Sequence, residues 1–208
     1  MAELEIIGGA QSTFVWSVRI GAEEKGVSYV HRQVRPHEPP VTAIHPYGLI
    51  PVMRHGEVTL AESRAIAGYI DDTFEGPPLF PRETRERAET EQWVSLINNV
   101  MQPHLRRYAF GYFFPKTADG QPDRMEIEAA LPGLLRSLDV LEERLTGRET
   151  LANGSFTYAD ACVLPQLHYI SGLPESGQAM AGKKAVTAYL ERHRQRPSFR
   201  RTMPEKVG

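Results

Sequence analysis

Apolar residues recur along this chain with two rhythms, and the change between them divides the sequence. In the first part they come in short runs. Glu3-Leu4-Glu5-Ile6-Ile7-Gly8 reads as a strand, and the stretch 13–26 as a helix closed by Lys25-Gly26, where glycine is a natural C-terminal stop. Ser28 to Val34 alternates toward Tyr29, Val30 and Val34. The Pro-rich stretch 36–46 reads as a loop or a broken helix, and Ile50 to Arg54 and Glu57 to Ala61 flank His55-Gly56 as a hairpin. A helix opening at Glu62-Ser63 carries Ile66, Tyr69, Ile70 and Phe74 on one face until Gly76-Pro77-Pro78 stops it. The order βαβαββα predicts an α/β layer arrangement.

Gly76-Pro77-Pro78-Leu79-Phe80-Pro81 is the densest proline stretch, and strand signals vanish after it, so a domain linker is expected there. Everything beyond reads as helix. From Glu83 to about Phe110 apolar positions fall at Trp93, Leu96, Ile97, Val100, Met101, His104 and Tyr108, with a kink required at Pro103. A second helix carries Leu131, Leu134, Leu138, Leu141 and Leu145. Thr157-Tyr158-Ala159-Asp160 has the form of a capping box, opening a helix through Cys162 to Tyr169. The last helix is expected over Lys183 to Arg194, stopped by Pro197.

Composition narrows the function classes. A chain of 208 residues that is 41% apolar can bury an ordinary core, which argues against disorder. The 24 basic and 26 acidic side chains leave a net charge of -2, without a block of like charge able to track a phosphate backbone or an anionic membrane. Neither nucleic acid nor a membrane is an expected partner. No apolar run approaches the length of about 20 residues that crosses a bilayer, and Met1-Ala2-Glu3-Leu4-Glu5 lacks the regions of a signal peptide, so a cytoplasmic location is expected. Cys162 stands alone, so no internal disulfide and no Cys-x-x-Cys motif can form. It reads as a buried structural thiol. The seven histidines include no pair at helical metal-binding spacing, and no metal is expected. The cluster Arg192, Arg194, Arg196, Arg200 and Arg201 reads as a solvated tail.

Two motifs carry candidate chemistry. Pro51 begins a strand run, where it is either a plain strand opener or part of a cis Ile50-Pro51 peptide whose geometry turns the Ile50 N–H and C=O toward an extended peptide ligand. Glu62-Ser63 opens a helix directly after a strand. That is either an ordinary cap or a site offering an acceptor for an ammonium beside N–H and hydroxyl donors for a carboxylate, as an α-amino acid head group needs.

The order and spacing of four segments resemble the cytosolic glutathione transferases: Ser12-Thr13-Phe14-Val15-Trp16-Ser17-Val18-Arg19, Glu24-Lys25-Gly26-Val27-Ser28-Tyr29, His45-Pro46-Tyr47-Gly48-Leu49-Ile50-Pro51-Val52 and Leu60-Ala61-Glu62-Ser63-Arg64-Ala65-Ile66. Phe156-Thr157-Tyr158-Ala159-Asp160 and Arg196-Pro197-Ser198-Phe199 extend the resemblance into the helical part. It implies a thioredoxin-like glutathione-binding domain over residues 1–80, an all-helical domain over 84–208 shaping an electrophile pocket, and a homodimer. It further implies glutathione as co-substrate, held by Ile50 and Pro51 at the cysteinyl end and by Glu62 and Ser63 at the γ-glutamyl end. Tyr47 matches an aromatic that packs across the dimer interface. Ser12 matches the hydroxyl of the serine-using classes (phi, theta and zeta among them) that activates the thiol, with Thr13 as the neighbouring alternative and helix capping as the alternative role. Phe14, Tyr108, Tyr112 and Phe113, with Phe110 and Phe114, are expected to form the pocket for an apolar electrophile.

Departures qualify the resemblance. Relatives commonly carry Gln at Leu49 and often Asn at His45, and the Pro-rich loop lacks the Lys that some relatives aim at the glycine carboxylate, which leaves His37 for that end. Phe14 replaces the Cys of the zeta-class isomerases, and no Cys replaces Ser12, so maleylacetoacetate isomerisation and mixed-disulfide reduction are disfavoured. The expected activity is conjugation or exchange of the glutathione thiolate with an electrophile, in detoxification. The alternatives are a non-catalytic binding or assembly module, or another glutathione-dependent reaction: peroxide reduction, dehalogenation or β-ether cleavage.

Overall fold

The computed structural model describes residues 2–205. Among these, two compact units emerge, one of residues 2–87 with 194–205 and one of residues 88–193.

In the first unit, strands β1 (Leu4–Ile7), β2 (Val30–Arg32), β3 (Val52–His55) and β4 (Val58–Ala61) form one sheet in the order β2-β1-β3-β4. The β1–β2 pair is parallel and the pairs β1–β3 and β3–β4 are antiparallel. A parallel pair needs a crossover, here helix α1 (Thr13–Lys25). The short helix α2 (Pro39–Thr42) lies in the long connection to β3, and α3 (Ser63–Thr73) follows β4. All four residues of β1 are buried, as the centre of a sheet covered on both faces should be. Leu4 and Ile6 pack with Val15, Val18, Met53, Ile66 and Ile70 on one face, and Ile7 packs with Val41 and Val52 on the other. The expected βαβαββα order therefore holds, although β2 is only three residues long and α2 one turn.

The Gly76 to Pro81 stretch is not an exposed linker throughout. Leu79, Phe80 and Pro81 are buried, and the peptide N–H groups of Leu79 and Phe80 donate to the buried Asp71 carboxylate at 2.8 and 3.1 Å. That carboxylate also pairs with Lys25 Nζ at 2.8 Å, so the end of α1, the end of α3 and the proline stretch share one ion pair. The arginine-rich tail is likewise ordered. Helix α10 (Pro197–Thr202) packs on α1 through Trp16 against Phe199, with ring centroids 5.0 Å apart, and Trp16 Nε1 donates to Thr202 Oγ1 at 2.9 Å. Arg196 grips Glu24 with two nitrogens at 2.6 and 2.7 Å. Residues 194–205 thus belong with the sheet rather than with the helical unit, and of the arginine cluster Arg192, Arg200 and Arg201 are solvent-exposed as expected whereas Arg194 and Arg196 are half-buried.

The second unit is built from the continuation of α4 (Thr84–Ser95), α5 (Gln102–Phe113), α6 (Arg124–Leu145), α7 (Tyr158–Ser171), α8 (Pro174–Ala181) and α9 (Lys184–Arg194). A plain α-helix is not what surrounds Pro103. Residues Leu96–Met101 instead form a π-helical turn, with Gln102 N–H donating to Ile97 C=O, which places proline in the first turn of α5, where its missing N–H costs no bond. The widened turn shifts the apolar face: Trp93, Ile97, Met101, Leu105 and Tyr108 are buried, whereas Val100 and His104 turn outward. Helices α5 and α6 approach closely at Gly111, where a Cβ would lie 2.7 Å from the buried Ile127 side chain. Helix α7 is buried at every position from Tyr158 to Leu167, Cys162 included, so it is the core of this unit. Its capping box is present as expected.

Candidate functional site

Strand register decides what lies together. Ile7 of β1 pairs with Val52 of β3, and Val52 pairs with Ala61 of β4. Just beyond that row lie the Gly8 to Ser12 loop that leaves β1, the Ile50-Pro51 peptide that enters β3, and Glu62-Ser63 after β4. The three motifs separated in sequence therefore converge on one end of the sheet. Gly8 makes the convergence close: at φ 149° it adopts a backbone conformation L side chains rarely take, and a Cβ there would lie 2.6 Å from Val15 Cγ2 and 3.0 Å from Ile50 Cβ. The loop is held from β2 as well, by Gly8 N–H to Arg32 C=O at 2.9 Å and Ala10 N–H to Gln33 Oε1 at 3.0 Å.

Ser12 is the N-cap of α1. Its φ and ψ are extended and its Oγ accepts the Val15 N–H at 3.4 Å. A hydroxyl that accepts at its oxygen keeps its own proton to donate, so capping and a second donor role are compatible in this one residue. Thr13 is the first helical residue, and no acidic side chain occupies the first turn to offset the positive helix end. Phe14 is half-buried beside it.

The Ile50-Pro51 peptide is cis. Among the described residues neither the N–H nor the C=O of Ile50 has a hydrogen-bond partner. Glu62 precedes α3 at φ 72° and ψ 118°, a strained conformation for a residue with a side chain, and Ser63 is buried at the helix start. Strain of this kind, of order 1–3 kcal/mol, persists where surrounding structure enforces it, and such places concentrate at ligand sites. His45 is buried below Glu62 and bonds its carboxylate through Nε2 at 3.1 Å. Sequence reasoning treated His45 only as a departure; the sequence signal was its position two residues before Tyr47, whose N–H its Nδ1 accepts at 3.0 Å in the manner of a side-chain turn.

His37 lies in the same β2–β3 connection, exposed, at φ 66°, with its N–H donating to Gly48 C=O at 2.8 Å. Tyr47 is 77% exposed, the most exposed large apolar side chain among the described residues. His31 donates from behind the sheet end to Gly8 C=O at 2.9 Å; burial first, and then the Arg19 charge, hold its ring below the ordinary histidine value, which keeps it neutral and able to donate from one nitrogen.

The aromatic residues of α5 divide. Phe110, Phe113 and Phe114 are 41%, 49% and 58% exposed. Tyr108, expected as a pocket wall, is fully buried. Its hydroxyl donates to Glu175 Oε2 at 2.9 Å and accepts the Ser176 N–H at 3.1 Å, so it is a packing residue that joins α5 to α8. Tyr112 is half-buried, with its hydroxyl also on Glu175, and Arg124 closes the group with a 2.7 Å bond to Glu175 Oε1. Burial alone would raise the Glu175 carboxyl, but the bonds from Tyr112, Arg124 and Tyr108 prevail and bring it down to about 2, while burial and then that carboxylate push the Tyr112 phenol up to about 12. The sign follows: with the folded value below the ordinary 4.5, the unfolded chain takes the proton first as pH falls. The stabilisation from Glu175 is therefore complete above pH 4.5 and disappears between 4.5 and about 2. Urea midpoints of the wild type and Glu175→Gln should differ by a constant amount above that window and converge inside it; a gap that ignores pH would refute the charged network.

Among the described residues no group of three or more His, Cys, Asp or Glu is arranged to hold a metal ion, and no helix is long and apolar enough to cross a membrane.

Comparison with known proteins agrees with this geometry in both halves. Residues 7–78 match the family model of the glutathione S-transferase N-terminal domain, and residues 97–197 that of the glutathione S-transferase C-terminal domain. The chain is 32% identical to glutathione S-transferase 3 of Zea mays, over 98% of this chain and 94% of that protein. It is 30% identical to a glutathione S-transferase of Silene vulgaris, over 96% of each. A solved structure of glutathione S-transferase III in apo form superposes with a TM-score of 0.85 at 30% identity, covering 99% of this chain and 100% of that one. With two domain models matched in order and a relative of that similarity along nearly its whole length, the chain belongs to the glutathione S-transferase family.

Proposed function

We propose that this protein is a glutathione transferase that joins the thiolate of glutathione to an apolar electrophile, with Ser12 as the residue that stabilises the thiolate. The observation that carries the reading is the convergence on one sheet end of Ser12, whose hydroxyl proton is left over from capping, with the cis Ile50-Pro51 peptide and the Glu62-Ser63 helix start. In that arrangement the Ile50 N–H and C=O pair with the cysteinyl backbone. The α3 N-terminus with Ser63 takes the γ-glutamyl carboxylate, Glu62 takes the ammonium, and His37 serves the glycine end. A free thiol has a pKa of about 8.5, so only a few per cent is nucleophilic at neutral pH. Attack forms a carbon–sulfur bond, and the leaving group departs with the electron pair of the bond it breaks.

The relatives' names support the transferase class; residues 1–80 act as the glutathione domain, and the helical segment expected over 84–208, less its α10 end, supplies side chains for the electrophile. Phe14, Phe113 and the exposed neighbours of Phe113 are the side chains suited to the apolar partner. Tyr47 is the contact of a homodimer, in a cytoplasmic, detoxifying enzyme. A non-catalytic module would need neither a hydroxyl at Ser12 nor Glu62-Ser63. The test is direct: purified protein, glutathione and an activated aryl chloride, with thioether and chloride release followed together. Stoichiometric thioether and chloride support the transferase; glutathione binding without turnover of any electrophile class, peroxides and aryl ethers included, would refute it.

A further inference from the structure

We propose that His45 is a positioning residue for the ligand's α-ammonium group, acting through the carboxylate of Glu62. The inference rests on the glutathione reading above and goes beyond it by giving a role to a side chain that the family resemblance leaves as a departure. Glu62 has a fixed backbone and an exposed side chain: φ of 72° sets where its Cβ points, whereas the side chain is 75% exposed and, with no partner, would be able to change rotamer. An exposed carboxylate that samples several rotamers is a poor acceptor, because each encounter with a cation must first order it.

His45 removes that freedom. The ring is 95% buried, by its 5% exposure, and its orientation is set from both sides. On one side Nδ1 accepts the Tyr47 N–H at 3.0 Å, which requires a lone pair there and assigns the proton of the neutral ring to Nε2. On the other side that Nε2–H donates to Glu62 Oε1 at 3.1 Å. Oε1 is thereby occupied, and Oε2, without a protein partner among the described residues, is left facing solvent for a cation. The first turn of α3 carries no acidic side chain to offset the positive helix end beside Glu62. Tyr47, His45 and Glu62 thus form a chain from the most exposed aromatic of this unit to the ammonium acceptor.

Two substitutions separate the two ends of the ring. Asparagine places an amide oxygen near the Nδ1 position and keeps the Tyr47 turn, but is too short for Glu62. Glutamine places an amide N–H near Nε2 and keeps the reach to Glu62, but gives up the turn. Binding is measured calorimetrically with glutathione and with glutaryl-cysteinylglycine, which lacks only the α-amino group. His45→Asn should weaken glutathione about five- to tenfold, the loss of one hydrogen bond that orients a charged group, while leaving the glutaryl analogue unchanged. His45→Gln should stay within about twofold of the wild type for glutathione. Equal glutathione affinity in His45→Asn and wild type would overturn the assignment, and so would an equal loss for both ligands, which is the mark of a merely structural histidine. Failure of the wild type itself to bind glutathione would instead remove the reading on which the inference stands.

Discussion

Replacing Ser12 by alanine is expected to raise the pKa of bound glutathione toward its free value and to cut turnover at neutral pH by about eightfold to twenty-five-fold, because a charge-assisted hydrogen bond of roughly 1.5–3 kcal/mol moves a thiol by one to two units and the free thiol is already a few per cent ionised. The ultraviolet absorbance of the thiolate, followed across pH, reads this without any choice of electrophile. Alanine also removes the cap on the Val15 N–H, worth about 1 kcal/mol of helix stability, so loss of activity alone would be ambiguous. Glycine resolves the ambiguity, since an N-cap glycine costs only a few tenths of a kcal/mol. If the hydroxyl is what matters, Ser12→Ala and Ser12→Gly lose thiolate to the same extent, and Ser12→Thr, which keeps oxygen and proton, retains it. If fraying of α1 is what matters, the alanine variant is worse than the glycine variant. Thr13→Ala serves as the neighbouring control and should leave the thiol pKa unchanged. A thiol pKa that is the same in wild type and Ser12→Ala would end the proposed role for Ser12.

What the sequence disclosed, and what it withheld, follow from how local each feature is. The order of strands and helices in the first unit is legible because it depends on periodicity within a few residues, and the Gly26 stop and the Thr157–Asp160 box are legible because capping is local chemistry. Proline has two local meanings, and only one is visible without context: Pro197 reads as the stop of the preceding helix, yet it occupies the first turn of α10, where the absent N–H has no partner to lose, and α8, which opens on Pro174 in the same way, gave no reading in the sequence at all. The arginine cluster was read by charge density, whereas its place is decided by Glu24, 172 residues away from Arg196 in sequence. Tyr108 illustrates the same limit in the opposite direction: its position among aromatics suggested a pocket wall, but Glu175, which takes its hydroxyl, lies 67 residues on. The site itself was legible as separate motifs because each has local form; that they meet depends on the pairing of Ile7 with Val52 and of Val52 with Ala61, a matter of register.

The largest effect on stability is expected at Asp160. Its carboxylate is fully buried and accepts four hydrogen bonds: Leu151 N–H and the Tyr189 hydroxyl at 2.8 Å on Oδ1, and Thr157 N–H at 2.8 Å and the Thr157 hydroxyl at 3.1 Å on Oδ2. One side chain therefore caps α7, fastens the preceding loop through Leu151 and ties α9 through Tyr189. Removing it in Asp160→Ala leaves two buried backbone N–H groups without acceptors, at about 1–3 kcal/mol each, in addition to the lost cap. A total of about 4 kcal/mol is a large part of the roughly 5–15 kcal/mol that holds a folded protein, and in a chain of this size it corresponds to a fall in melting temperature of about 8–16 °C. Asp160→Asn is not a mild substitution here: one of its two positions becomes an NH2 group that must face donors, so it should be nearly as destabilising as alanine. Tyr189→Phe removes a single donor and leaves the acceptor satisfied by three others, so it should cost about 1 kcal/mol. The predicted order in thermal and urea unfolding is Asp160→Ala close to Asp160→Asn, both far below Tyr189→Phe. An asparagine variant as stable as the wild type would mean that the carboxylate's charge and second acceptor are dispensable, and the account of α7 as a helix anchored from its first turn would fail with it.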